Sequence, residues 1–135
     1  MTRTLAVMAV AVGILSATVP IRAHHAFAAE FDDHKPIILK GKVTVMEWVN
    51  PHTWIHLDVT GPDGKVVNWK VEGGAPNALY RRGWTKNSIK IGSEITVDGF
   101  LAKDGTPTAN ARTVTMPDGK VFGAASSNGN APAEN

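Results

Sequence analysis

Residues 36–72 read PIILKGKVTVMEWVNPHTWIHLDVTGPDGKVVNWKVE, and the period of this stretch decides the fold class. From His52 to Thr60 the alternation is unbroken: Thr53, Ile55, Leu57 and Val59 fall on one face, His52, Trp54, His56 and Asp58 on the other. Successive side chains of a strand point to opposite sides, so a period of two marks a half-buried strand. Gly61-Pro62-Asp63-Gly64 then supplies hairpin chemistry, and residues 65–72 form the next strand with Val67, Trp69 and Val71 on one face. Upstream, Ile37, Leu39, Val43 and Val45 alternate with Ile38, Lys40, Lys42 and Thr44, which predicts a strand over 36–49. Gly41 inside it predicts a bulge or bend, and Asn50-Pro51 a turn.

Downstream of this stretch the pattern changes. Gly73-Gly74 ends the third strand, and Pro76-Asn77-Ala78-Leu79-Tyr80-Arg81-Arg82 reads as a short helix closed by Gly83. Strands follow at 93–101 and 107–116, separated by the turn Ala102-Lys103-Asp104-Gly105. Pro117-Asp118-Gly119 turns the chain again into a short edge strand, Lys120 to Phe122. Three strands, a helix and two strands predict a mainly β domain. The expected form is a small OB-like five-stranded barrel with one short helix between strands three and four.

The ends of the chain carry different signals. Arg3 precedes an apolar run from Leu5 to Val19, then Pro20 and Ile21-Arg22-Ala23. That order predicts a cleavable signal peptide over residues 1–23 and a periplasmic or secreted product. The run is short for a membrane span, so no span is expected after cleavage. Residues 24–122 are the expected OB-like domain, with an N-terminal arm at 24–35 anchored by Phe27 and Phe31. From 123 to 135 the composition is Ala, Ser, Asn, Gly and Pro, with Glu134, which predicts a disordered tail.

Composition narrows the function further. Cysteine is absent, which excludes disulfides, zinc–thiolate centres, iron–sulfur ligation and cysteine nucleophiles. The 14 Lys and Arg include Arg3 and Arg22, so the domain without residues 1–23 balances its 12 Asp and Glu. Without a basic excess there is no electrostatic case for nucleic acid. No Gly-x-Ser-x-Gly elbow, His-Glu-x-x-His pair or phosphate-binding glycine loop is present. A hydrolase is therefore the least favoured reading, and no catalytic residue is named.

His24-His25-Ala26-Phe27-Ala28-Ala29-Glu30-Phe31-Asp32, Trp48-Val49-Asn50-Pro51-His52, Glu72-Gly73, Gly83-Trp84 and Ala102-Lys103-Asp104-Gly105 occur in an order and spacing that is similar to a known family. The chain resembles exported proteobacterial proteins grouped as domain-of-unknown-function family 6152, from about residue 24 to about residue 122. The double histidine and Trp-x-Asn-Pro-His are the most specific pieces. The resemblance implies export and one small domain; it carries no activity and no catalytic residues.

Two constellations remain. Cleavage after Ala23 would expose His24-His25, and an α-amine beside imidazoles suits copper or zinc. His52 and His56 project from one strand face but lie about 13–14 Å apart, too far to share one ion. A Cu or Zn site would therefore combine His24 and His25 with His52. The second constellation is a strand face of Trp48, Trp54, His56, Asn68, Lys70 and Glu72, suited to a sugar or peptide. Its alternative is cover by the arm, with Phe27 and Phe31 on Trp48 and Trp54. The leading expectation is an exported, non-enzymatic binding or accessory domain holding a transition metal. The runner-up is a metal-free module for a small ligand or periplasmic partner protein, using the Trp54/His56 face.

Overall fold

The computed structural model describes residues 27–126. The expected signal peptide, and residues 127–135 of the expected tail, lie outside them. Among the described residues a helical turn at 27–30 leads into β1 (Phe31–Glu47), β2 (Trp54–Thr60) and β3 (Val66–Glu72). There follow α1 (Pro76–Arg81), β4 (Glu94–Ala102), β5 (Thr108–Thr115) and β6 (Val121–Gly123).

The strands form one six-stranded sheet in the order β3-β2-β1-β4-β5-β6. These neighbours pair antiparallel. A short parallel pairing adds Lys70↔Thr108, Val71↔Ala109 and Glu72↔Asn110 between β3 and β5. The mainly β class and the short helix after the third strand match expectation. The OB-like five-stranded barrel does not: the sheet has six strands, and β6 extends it along β5. Residues 120–122 were expected as a short edge strand, a stub outside the five of the barrel. The edge strand is there, and Thr113↔Gly123, Val114↔Phe122 and Thr115↔Val121 make it the sixth member of the sheet.

The 17 residues of β1 serve two partners. Its first part pairs with β4, from Phe31↔Ala102 to Lys42↔Glu94 with a register shift between Phe31 and Pro36, and its second with β2, from Lys42↔Asp58 to Glu47↔Trp54. Strands 36–49 and the arm 24–35 were expected as separate pieces, yet residues 31–35 belong to β1. Gly41 leaves no room for a side chain beside β2: a Cβ there would lie 2.5 Å from the Asp58 carbonyl oxygen. The bulge lies further on, between Val43 and Val45. An extra residue reverses which face the following side chains take, so Val43 is 1% exposed and Val45 is 44% exposed.

Leu39, Val43, Ile55, Leu57, Val71, Ile95, Val97 and Val114 fill the core from the sheet, and Leu79 of α1 and Trp84 join them. Pro76 opens α1 where its missing N–H is not needed, and Gly83 at φ +87° closes it. The end of the described chain is a strap rather than the expected start of a tail at 123. Ala124 and Ala125 are both buried. The Gly74 N–H donates to the Ala124 carbonyl, Arg82 Nη1 to the Ala125 carbonyl at 2.8 Å, and Trp84 Nε1 to the Gly123 carbonyl at 2.9 Å.

Candidate functional site

The register lays three side chains across three strands. Trp54 at the start of β2 is opposite Glu72 at the end of β3, and Glu72 is opposite Asn110 in β5. Glu72 is 4% exposed, and a buried carboxylate requires partners. The Asn110 side-chain amide donates to Glu72 Oε1 at 3.1 Å, and His52 Nδ1 lies 3.0 Å from the same oxygen. The Asn110 amide also donates to Ser126 Oγ at 2.6 Å, which ties the strap to this cluster. Burial pushes the Glu72 carboxyl above its ordinary value of 4.5. The His52 charge and the hydrogen bonds from Ser126 and His52 pull it back, while Glu30 pushes it up again. A carboxylate only accepts, so His52 donates its Nδ1–H to this bond.

Beside this cluster a groove of about 400 Å³ opens, with Phe31, Trp54 and Ala102 as apolar wall and Glu30, Lys103, Asp104 and Thr108 as its polar lining. The helical turn at 27–30 forms one bank. The Lys103 N–H donates to the Glu30 carbonyl at 2.9 Å and its ammonium to the Ala28 carbonyl at 2.5 Å. Phe27 packs on Phe31 and on the edge of Phe100, at ring-centre distances of 5.7 and 5.9 Å. The Lys70 ammonium stands 4.2 Å from the centre of the Trp54 ring.

Of the candidates for a metal site, His24 and His25 lie outside the described residues, and His52 is paired with Glu72. Among the described residues no group of three or more His, Asp or Glu is placed to hold a metal ion. The candidate ligand face divides. Trp54, Lys70 and Glu72 gather at the groove end of the sheet. His56 Nε2 instead pairs with Glu47 Oε1 at 2.7 Å. Asn68 donates to Asp58 at 2.8 Å and to Thr44 at 3.2 Å. Trp48 packs against the core. The expected packing of Phe27 on Trp48 or Trp54 is replaced by its contacts with Phe31 and Phe100.

Sequence reasoning missed Glu30, Asn110 and Ser126. Asn110 carries a readable signal, a polar residue between two alanines inside a strand; Ala109, Asn110 and Ala111 are all buried. Glu30 and Ser126 carry none, since both sit in segments without a period. Among the described residues no helix is long and apolar enough to cross a membrane.

The model of a family described as a family of unknown function, DUF6152, matches residues 10–111 of the chain. No curated protein matches it.

Proposed function

We propose that this chain, which belongs to the family of unknown function DUF6152, is an exported, non-enzymatic binding module whose ligand lies in the groove beside Trp54. The order Arg3, apolar run, Pro20 and Ala23 supports export. The observation that carries the binding role is the half-buried Trp54 ring on the wall of a groove of about 400 Å³. Small-ligand sites combine an apolar or aromatic wall with a few placed polar groups, and Trp54 with Glu30, Lys103, Asp104 and Thr108 is such a set. The ligand is a small molecule or an exposed segment of a periplasmic protein. Scanning saccharides and short peptides by ¹⁵N-resolved NMR tests this. A genuine ligand shifts the Trp54 indole and the amides of Glu30 and Lys103 together, and Trp54→Leu abolishes the shifts. Ligands that move only residues away from the groove overturn the proposal.

A second reading is favoured by one specific contact. Metal-bound imidazoles almost always donate their other ring N–H to a carboxylate, a backbone carbonyl or water, and His52 Nδ1 lies 3.0 Å from the Glu72 carboxylate in that way. In this reading His52 Nε2 joins His24 and His25 around copper or zinc. Calorimetric titration with each metal tests it. One-to-one binding lost in both His52→Ala and His24→Ala supports it, and affinity unchanged in either variant ends it.

A further inference from the structure

We infer that the Trp54 groove takes an organic cation, the ammonium or guanidinium group of a small amine or of a Lys or Arg side chain in a peptide. The inference rests on the reading of the groove as the ligand site and names its ligand class. The Trp54 ring already stands beside an ammonium, since Lys70 Nζ is 4.2 Å from its centre. Indole is the strongest of the aromatic faces for a cation within about 6 Å. Lys70 is an exposed side chain on a flexible stem, so an incoming cation displaces it at little cost.

The charges of the groove favour the same class. Glu30 and Asp104 both line it. Neither is in an ion pair among the described residues. The Asp104 carboxylate accepts from the Thr106 N–H and hydroxyl, which positions it without neutralising it. The groove's own cation, Lys103, is turned onto the Ala28 carbonyl. Ala102 and the rim of the Trp54 ring present apolar surface for the methylenes of an amine, whose charged head then reaches the ring face and the carboxylates. A neutral sugar stacks on the ring and hydrogen-bonds the carboxylates, but brings no charge to pair with them.

The test titrates the ¹⁵N-labelled protein with n-butylammonium, with a Gly-Lys-Gly peptide amide and with cellobiose, at low and high salt. The expected result is that both cations shift the Trp54 indole, Glu30 and Asp104 signals and cellobiose does not. Affinity falls roughly three- to fivefold in Glu30→Gln, a loss that salt reproduces. It rises by a similar factor in Lys70→Gln, which removes the competing ammonium. Glu30 is exposed, so its variant keeps the fold even if Trp54→Leu does not. Shifts at these residues from cellobiose alone, or cation binding indifferent to Glu30→Gln and Lys70→Gln, overturn the cation assignment and leave the groove as a ligand site. If no probe moves any groove signal, both readings fall. Free-amine and peptide sources separate by whether Gly-Lys-Gly outbinds n-butylammonium.

Discussion

Glu72 is the residue at which burial and charge are most at odds. Its carboxyl is pushed above the ordinary 4.5 by burial, against the pull of His52 and Ser126. A raised carboxyl binds its proton more firmly in the folded chain than in the unfolded one. Below about pH 4.5 both states are protonated and the stabilising difference is fully present; it is lost as pH rises through the folded value. Urea midpoints of wild type and Glu72→Gln, measured from about pH 4 to about pH 8, report this. The wild-type midpoint is expected to fall relative to the variant as pH rises above about 4.5. A relative rise instead would mean that the His52 charge outweighs burial. In the sequence Glu72 is one strand carboxylate among several. Its environment comes from Asn110, 38 positions away, and from the strap residue Ser126 beyond it.

Elements show a second kind of dependence. The alternation of β1 is readable up to Val43, and the bulge beyond it is not, because an extra residue is recorded only by the partner strand. Val43→Ala removes two methyl groups from a residue 1% exposed and is expected to cost about 2 kcal/mol. Val45→Thr, on the solvent side, is expected to stay within about 0.5 kcal/mol. Denaturant midpoints of the two variants check the bulge, since an unbroken alternation would make both costly. The strap makes a similar point. A polar, small-residue composition predicts a tail, yet Ala124 and Ala125 are buried and hydrogen bonded to Gly74 and Arg82. Ending the chain after Phe122 leaves the buried Gly74 N–H without its partner and exposes Trp84 Nε1. This is expected to lower stability by about 2–3 kcal/mol, read as a drop in Tm.

For the whole molecule, one core receives side chains from β1 to β5, α1 and the strap, so unfolding is expected to be a single transition. Leu57 is 0% exposed at the centre of β2. Leu57→Ala should cost about 3 kcal/mol, with far-ultraviolet dichroism and tryptophan fluorescence losing signal together. Separated transitions would contradict a single core. The sequence alone determined the class, the strand positions of β2 to β5 and the helix at Pro76. Each rests on a local signal: a period of two, a glycine or proline, a turn. It also marked His52, Trp54, Lys70 and Glu72 as residues of interest. Their assembly was decided by the tertiary structure. The meeting of β3 with β5 brings Glu72 to Asn110, the six-strand order replaces the expected barrel, and the turn at 27–30 brings Glu30 to Trp54. These depend on which distant backbones pair and which faces curl together. Alternation within one strand records which side is buried, but not what lies against it.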